Sequence, residues 1–403
     1  MKNKQILVEI NIFLKKLVIK MNNKHIQEGL VQIYVPEFDK VSSQAPVFYN
    51  PAMELNRDLS ILALQQFQIN SDQEISICDA FGGSGIRGIR YSKEISGVFK
   101  VLVNDISPLA VEFGKENVRL NNLTNIEISQ NDANLVLREK RGEFNVVDID
   151  PFGTPSYFVD SVANSLKTSS LLCITATDTS SLCGTYKEPC IRKYNAVPLK
   201  SEYCHENGIR ILAGFVAMTF AKYKKSVVVK FSHSSEHYMR LYLQVEKGAK
   251  EADESLKNMG FIINCKKCLY RDTVNGLAPH IPKKCPRCQE KLQVGGPLWL
   301  GKVQCADFIK NMISLTEEKS LNKEKQILKL LNRCLEESNM PPTFYDLHVV
   351  CKKLKISAPP LLDVLNLLKE DGFLVSRTHY QPTAIKTNAP LEKIEDILTH
   401  LHS

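Results

Sequence analysis

Three groups of residues in this sequence have the types and spacing to do chemistry. The first is Asp150-Pro151-Phe152-Gly153, which follows the apolar run Asn145–Ile149. An exocyclic amine on a base is a poor nucleophile because its lone pair is delocalised into the ring. A carboxylate and a backbone carbonyl that accept its two N–H bonds turn that lone pair toward an electrophile. Asp150 and the carbonyl of Pro151 are acceptors of that kind, and Phe152 offers a ring on which a base drawn out of its helix can stack. The second group begins at Asp79 and runs through Gly83, Gly85 and Gly88, which satisfy the G-x-G-x-x-G spacing. Such glycines allow a tight strand-to-helix turn and let a ligand approach the backbone. Asp105, 22 residues after Gly83, then ends the next run, where its carboxylate can accept both hydroxyls of an adenosine ribose. Asp132, with Ala133 beside it, follows the third run, where an acidic side chain can accept from an adenine amino group. NAD and S-adenosylmethionine both carry this adenosine, so the loop alone does not choose between them. The third group is Cys265-x2-Cys268 and Cys285-x2-Cys288, sixteen residues apart. That spacing belongs to four-cysteine zinc sites, and four thiolates leave no position open for substrate, so the metal is structural.

These groups need elements to hold them. From Ile75 onward short apolar runs alternate with helix-like segments: Ile75–Cys78, Val98–Val103, Ile126–Ser129, Asn145–Ile149 and Leu171–Ala176. The rhythm predicts an α/β fold, a mostly parallel Rossmann-like sheet with helices on both faces. Ser226–Phe231 and Tyr238–Val245 lie too close together for a crossover helix and predict an antiparallel hairpin. Ahead of the sheet, Gly29 to Asp58 is expected to fold over it as a lid. Beyond Lys250 comes the zinc segment, about residues 261–292, with seven Lys or Arg against two acids between Phe261 and Lys291. The last stretch, about 320–395, reads as helices Lys323–Ser338, Tyr345–Leu354 and Pro360–Glu370 and then a strand, Phe373–His379. That pattern is winged-helix-like, within an α+β C-terminal region. The expected division is an extension over 1–20, a catalytic domain over 21–247 and a C-terminal domain over 248–403.

Composition narrows the function. The chain has 403 residues, 43% hydrophobic and 24% charged, and no run approaches the roughly 18 apolar residues of a membrane span. A channel and a disordered scaffold are excluded. Its formal charge of +8, from 52 basic and 44 acidic residues, suits a polyanionic partner. The twelve cysteines are sparse for the length and four fall in C-x2-C pairs, which fits a reducing interior and predicts a cytoplasmic protein. The basic N-terminus carries Glu9 inside its apolar stretch and no small-residue cleavage site, so no signal peptide is expected, and Met21 is a second candidate start.

Asp150 to Gly153 are similar to the D/N-P-P-Y/F tetrad of amino-group methyltransferases, which favours S-adenosylmethionine over NAD. More broadly, from Glu28 to Pro390 the chain resembles the tRNA guanine-26 N2-dimethyltransferase family at archaeal-type length. The resemblance rests on Glu28-Gly29, PVFYNP with NRDLS (Pro46–Ser60), GIRGIRY (Gly85–Tyr91), NDIS (Asn104–Ser107) and DIDPFGTP (Asp148–Pro155). It continues through TATDTSSLCG (Thr175–Gly184), RKY (Arg192–Tyr194), YCHENGIRIL (Tyr203–Leu212) and SRTHYQPTAIKTNAP (Ser376–Pro390). The resemblance implies a class I methyltransferase sheet and methyl transfer from S-adenosylmethionine to N2 of guanine 26 in tRNA. It also implies cofactor contacts at Arg57, Arg87, Asp105, Asp132 and Ala133, with Arg57 or Arg87 on the methionine carboxylate, and places Asp150 as the acceptor that positions N2. Two departures stand out: Phe81-Gly82-Gly83-Ser84 where small residues are common, and Ala384 where glycine is expected.

Basic residues are candidates for tRNA phosphates: Lys266, Lys267, Arg271, Lys283, Lys284 and Arg287 on the ribbon, and Arg192, Lys193, Lys200, Arg377 and Lys386 elsewhere. Thr177 to Thr179 end the fifth run and are candidates for substrate contact. Cys183, Cys190, Cys204 and His205 match no usual metal spacing and read as packing. No obligate protein partner and no membrane are expected. Three other readings compete. An amino-methyltransferase of DNA or of a protein glutamine would use a similar tetrad; a non-catalytic RNA-binding protein on the same fold is opposed by intact Asp79, Asp105 and Asp150. A nicotinamide oxidoreductase leaves residues 150–153 and the ribbon unexplained.

Overall fold

The computed structural model describes residues 23–36 and 47–402; the expected extension over 1–20 and the alternative start at Met21 lie outside them. The chain forms two compact units that interleave along the sequence. One comprises the described residues up to Asp150 with Asn164–Leu171 and Ser314–Ile327; the other comprises Pro151–Ala163, Leu172–Ile313 and Leu328 onward.

In the first unit the chain opens with a hairpin of strands β1 (Asn23–Glu28) and β2 (Val31–Pro36). Alternate residues Val31, Ile33 and Val35 are buried with Ile86 and Ile89 of the helix Ile86–Glu94, as period-two burial requires of a strand with one apolar face. Two asparagines of the helix Pro108–Leu120 and its cap complete the free edge of β2. Asn117 Oδ1 accepts from Tyr34 N at 2.7 Å and its Nδ2 donates to Tyr34 O at 3.0 Å, while Asn121 does the same for Gln32 at 3.0 and 2.7 Å. These side-chain amides stand in for a ladder partner and satisfy an otherwise exposed strand edge. The stretch expected as a lid therefore begins as a hairpin clamped to two helices, and residues 37–46 of it lie outside the described ones.

Behind the hairpin the buried helix Glu54–Ser71 leads to β3 (Ile75–Asp79), followed by β4 (Val98–Asp105), β5 (Ile126–Gln130) and β6 (Phe144–Ile149). All three pairings among these four strands are parallel, with Ile77 opposite both Val101 and Val146. Every residue of β6 is buried, which is why this run shows no polar alternation.

The sheet order is β5-β4-β3-β6-β7-β9-β8 with β7 (Leu166–Ala176), β8 (Lys225–Ser235) and β9 (Tyr238–Lys247). The expected hairpin is present: β8 and β9 run antiparallel from Lys225 opposite Lys247 to Ser235 opposite Tyr238. The second unit continues with a three-stranded sheet in which β10 (Met259–Asn264) lies between β11 (Arg271–Asn275) and β12 (Gln293–Trp299).

A last small sheet has the order β13-β15-β14 from β13 (Tyr345–Asp346), β14 (Val375–Arg377) and β15 (Ala384–Thr387). Its core gathers Val350, Val364, Leu368, Ile385, Ile394 and Leu398, so the helices against it are Leu347–Leu354, Leu361–Glu370 and Leu391–His400. The sequence pattern put the helix over 323–338 in that role. Glu324–Glu336 is helical, but its Cys334 is buried against β8, with Sγ 4.0 Å from Ser232 O, and it gives nothing to this core. The helix after the strands takes its place. Ala384, expected as a glycine turn, is buried inside β15 opposite Asp346 and needs no left-handed backbone.

Candidate active site and metal centre

The glycine loop is built by its own backbone at the carboxyl end of β3. Gly82 N donates to Asn104 O and Gly85 N to Gly82 O, each at 2.8 Å, closing a tight turn in which Gly83 (φ +54°) and Gly85 (φ +81°) are left-handed. A Cβ on Gly83 would lie 2.9 Å from Phe48 O, and one on Gly88 would lie 2.3 Å from Val103 Cγ2, so both positions exclude larger residues. Asp105 Oδ2 accepts from Gly83 N and its Oδ1 from Ser107 N, both at 2.8 Å. These bonds orient the carboxylate and leave each oxygen a further lone pair. Asp132 caps the helix Ala133–Glu139 through Oδ1, which accepts from Asn134 N at 2.8 Å, with Ala133 buried beside it. Asn104, unmarked by the sequence reading on its own account, donates Nδ2 to Asn131 O at 3.0 Å and to Ala80 O at 3.4 Å, tying the loops after β3 and β5 to β4.

Arg87 lies at the centre of a buried acidic cluster. Its Nη2 bonds Asp150 Oδ2 and Asn56 Oδ1 (3.0 Å), its Nη1 bonds Ser60 Oγ at 3.2 Å and approaches Asp148 Oδ2 at 3.5 Å. Tyr91 OH donates to the same Asp148 oxygen. Asp79 is fully enclosed: Oδ2 accepts from Gly88 N at 3.1 Å, whereas Oδ1 has no hydrogen-bond partner among the described residues. Burial first, then the negative charge of Asp148, pushes the Asp79 carboxyl up to about 7, against the opposing charge of Arg87.

Arg57 is held bidentately by Glu28 at 2.6 Å for both bonds and reaches Asn50 O at 3.2 Å. Glu28 also takes Arg90, 2.9 Å away, and Arg90 in turn binds Asp58 and Glu94. Burial alone would raise Glu28, but the Arg57 bond and the charges of both arginines outweigh it and hold the carboxyl below its ordinary range. Both arginines expected at the methionine carboxylate are thus ion-paired inside the first unit. A carboxylate ligand would compete with Glu28 for one and with Asp150 for the other.

In the second unit Pro151 is buried and Phe152 is 54% exposed. Gly153 (φ +82°) donates its N–H to Thr177 Oγ1 at 2.7 Å and accepts from Thr177 N at 2.9 Å, which locks the turn to the residue after β7. Asp178 accepts from Tyr194 OH at 2.6 Å and from Lys193 Nζ at 3.0 Å, and Thr154 Oγ1 bonds Tyr194 OH at 2.8 Å. Lys193 is therefore half-buried in an ion pair, while its neighbour Arg192 is exposed.

The four ribbon cysteines converge, all their Sγ atoms lying within 4.8 Å of one another. Cys265 Sγ to Cys288 Sγ and Cys268 Sγ to Cys285 Sγ are both 3.5 Å. Each pair sits on the same backbone device: Cys265 O accepts from Leu269 N and Cys285 O from Gln289 N, both at 2.9 Å, with Leu269 and Gln289 left-handed. Tetrahedral zinc with bonds of about 2.3 Å separates its sulfurs by about 3.8 Å, so the four side chains fit that ion with little movement.

The basic candidates divide sharply. Lys266, Lys267, Lys283 and Lys284 are exposed, Lys267 within 3.7 Å of Glu290, and Lys283, Lys284 and Lys291 rim a cavity of about 650 Å³ with Ile281, Leu292 and Val294. Arg377 is half-buried on β14. Lys386 corrects the sequence reading: it is 2% exposed, with Nζ 2.7 Å from Glu206 Oε1 and 3.2 Å from Pro341 O, and cannot meet a phosphate. Arg271 is likewise buried, bonded to Glu202 and Phe344 O at 2.6 Å each, and Arg287 is tied to Glu392 and Glu395. Buried basic groups look like surface ones in sequence because their acidic partners, such as Glu206, are far away along the chain.

Residues 29–399 match the family model described as N2,N2-dimethylguanosine tRNA methyltransferase. The chain is 61% identical over 380 residues to a tRNA (guanine(26)-N(2))-dimethyltransferase of Methanobrevibacter smithii, covering 94% of this chain and 98% of that protein. It is 55% identical over 376 residues to the protein of the same name from Methanothermobacter thermautotrophicus, covering 93% and 98%. Among solved structures it is similar to Trm1 from Pyrococcus horikoshii in complex with S-adenosyl-L-methionine, with a TM-score of 0.84, 35% identity, and coverage of 93% and 99%.

Proposed function

This chain belongs to the N2,N2-dimethylguanosine tRNA methyltransferase family, and from that premise we propose that it transfers methyl groups from S-adenosylmethionine to the exocyclic N2 of guanine 26 in tRNA. The observation that carries the residue-level reading is the pairing, in one unit, of the Gly83–Asp105 turn with Asp150 at the end of the strand beside it.

S-adenosylmethionine, when bound, supplies an electrophilic methyl group on a sulfonium. The chain's own residues bind and orient. Asp105 accepts from the ribose hydroxyls, Asp132 from the adenine amino group, and Ala133 lies against the adenine ring. Gly83 and Gly85 keep side chains away from the ligand. Asp79 Oδ1, buried with no partner among the described residues, suits the ammonium of the methionine part, and Arg57 or Arg87 its carboxylate. Asp150 and the Pro151 carbonyl accept the N2 hydrogens and direct the lone pair, and the exposed ring of Phe152 stacks on the base. After attack the methylated nitrogen is cationic and strongly acidic and passes its proton to Asp150 or to solvent, so Asp150 needs no raised basicity. The four-cysteine ribbon holds structural zinc, and Arg192, Lys266, Lys267, Lys283 and Lys284 supply phosphate contacts without base specificity. Among the described residues no helix is long and apolar enough to cross a membrane, and we place the enzyme in the cytoplasm with tRNA as its partner.

The test is transfer of labelled methyl to an unmodified tRNA transcript, digested and resolved by nucleoside mass, beside a transcript with adenine in place of guanine 26. N2-methylated and N2,N2-dimethylated guanosine in the first and none in the second is the expected result. Equal incorporation into both would remove position 26 from the reading.

A further inference from the structure

Cysteine and histidine side chains also meet outside the ribbon. Among the described residues two more groups bring possible ligand atoms within 4.8 Å of one another: Cys183 with Cys204 and His205, and Cys334 with Glu337 and His379. The second group explains itself by hydrogen bonds. His379 Nδ1 meets Glu337 Oε1, its Nε2 accepts from Ser234 N at 3.3 Å, and Thr378 Oγ1 donates to Glu337 Oε2 at 2.6 Å. Both ring nitrogens are in use, so the imidazole has no lone pair left for an ion.

The first group is linked instead through its own possible ligand atoms, Cys183 bonding both Cys204 and His205. Among the described residues His205 Nδ1 hydrogen-bonds to Cys183 Sγ at 3.7 Å and to Ser234 Oγ at 3.4 Å, so the imidazole is turned onto the thiol rather than onto a carboxylate. The backbone nevertheless fixes all three side chains. Cys204 and His205 are the first two residues of the long helix Cys204–Ala221. Cys183 closes the turn Thr179–Leu182, its N–H donating to Thr179 O at 2.8 Å. Gly184 (φ +82°) then presses the chain against residues 199–200, where a Cβ would lie 2.9 Å from Lys200 N. Two sulfurs and an imidazole on rigid supports are the donor set of a borderline-soft divalent cation, and with all three atoms within 4.8 Å of one another they are close enough to converge on one ion.

We propose that Cys183, Cys204 and His205 form a second metal site, distinct from the ribbon, which takes a zinc-type divalent cation and leaves its fourth position open beside Ser234. Binding releases the two thiol protons to solvent, and the dication and two thiolates then sum to zero charge, which a half-buried site tolerates. The helix N-terminus at Cys204 favours its thiolate. Three protein ligands with one open position distinguish this site from the closed four-cysteine ribbon.

The experiment is metal counting by elemental analysis on the full chain, loaded with zinc and desalted, for the unaltered protein and for His205→Asn, Cys183→Ser and Cys265→Ser. Two zinc ions per chain are expected for the unaltered protein and one for each variant. S-adenosylmethionine binding reports whether each variant is folded. Cobalt(II) added to Cys265→Ser is expected to give tetrahedral visible bands with sulfur charge transfer, lost when His205→Asn is added. If Cys265→Ser does not fold, the comparison of His205→Asn with the unaltered chain decides alone. One zinc per chain in the unaltered protein, an unchanged count of two in folded His205→Asn, or a Cys183–Cys204 disulfide in its place would overturn the proposal.

Discussion

Asp150, the proposed acceptor for N2, is bonded to Arg87 and shares that guanidinium with Asn56 and Asp148. Removing the carboxylate therefore acts on two things at once. Asp150→Ala is expected to lower methyl transfer by about a hundredfold or more, the scale of losing a positioned acceptor. It also frees Arg87, so S-adenosylmethionine affinity should hold or tighten. Single-turnover transfer and calorimetric titration measure the two effects, and a large loss of cofactor affinity would contradict the competition. Asp79 makes a pH prediction. Its folded pKa of about 7 lies above the roughly 3.9 of an unfolded Asp. The native state thus holds a proton that the unfolded chain has released, and the stability this gives is full below about pH 4 and is lost as pH rises through 7. Asp58, pushed up to about 6 mainly by burial, acts in the same direction. Relative to Asp79→Asn, the unaltered apo chain should lose stability between about pH 5 and 7 at up to roughly 1.4 kcal/mol per pH unit, read from urea midpoints. Parallel curves would show that Asp79 titrates normally.

Among the elements, the buried junction around Glu206 is costlier to break than an exposed ion pair, because removing one partner leaves charge stranded in the interior. Glu206 takes Lys386 at 2.7 Å, Arg210 at 2.8 Å and the backbone N–H of Thr343 at 3.1 Å. Burial would raise Glu206, yet the charges of Lys386 and then Arg210 keep it below its ordinary range. Lys386→Ala strands part of that charge in the interior and should cost about 3 kcal/mol, the lower end for breaking a buried pair because Arg210 remains. Denaturant midpoints test the cost, and tRNA affinity per folded chain should not change. The ribbon behaves differently because its core is small: Ile263, Leu292 and the cysteines are its principal buried residues. Chelating zinc, or Cys285→Ser, should raise hydrogen exchange over residues 265–292 while leaving exchange over β3 to β6 unchanged. An equally protected metal-free ribbon would deny zinc its structural role.

For the whole molecule, the net charge of +8 overstates the surface available to RNA, since Lys386 and Arg271 are buried and Arg287 and Lys193 are paired within the second unit. Lys283 and Lys284 keep exposed ammonium groups. Replacing either with Ala should reduce the slope of log affinity for tRNA against log salt by about 0.7–0.9, whereas Arg287→Ala should leave the slope unchanged. Filter binding between low and moderate salt separates them. What the sequence determined by itself is whatever depends on neighbours a few residues apart. The apolar runs mark β3 to β9, the glycines demand the turn before Ile86, and each C-x2-C pair builds its knuckle from its own backbone. Family motifs added the expected cofactor and substrate and the residues proposed to meet them. Only the tertiary structure decided what depends on residues meeting across long separations. Lys386 and Glu206 are 180 residues apart and Arg87 and Asp150 are 63 apart, and no local period announces either pair. The same holds for the helix Leu391–His400 displacing 323–338 from the last core, and for Cys183, Cys204 and His205, whose sequence spacing fits no metal motif while the turn at Gly184 and the helix at Cys204 bring them together. Periodicity reports which face of an element is apolar; which partner covers that face, or which charge neutralises a buried one, is set by chain closure in three dimensions.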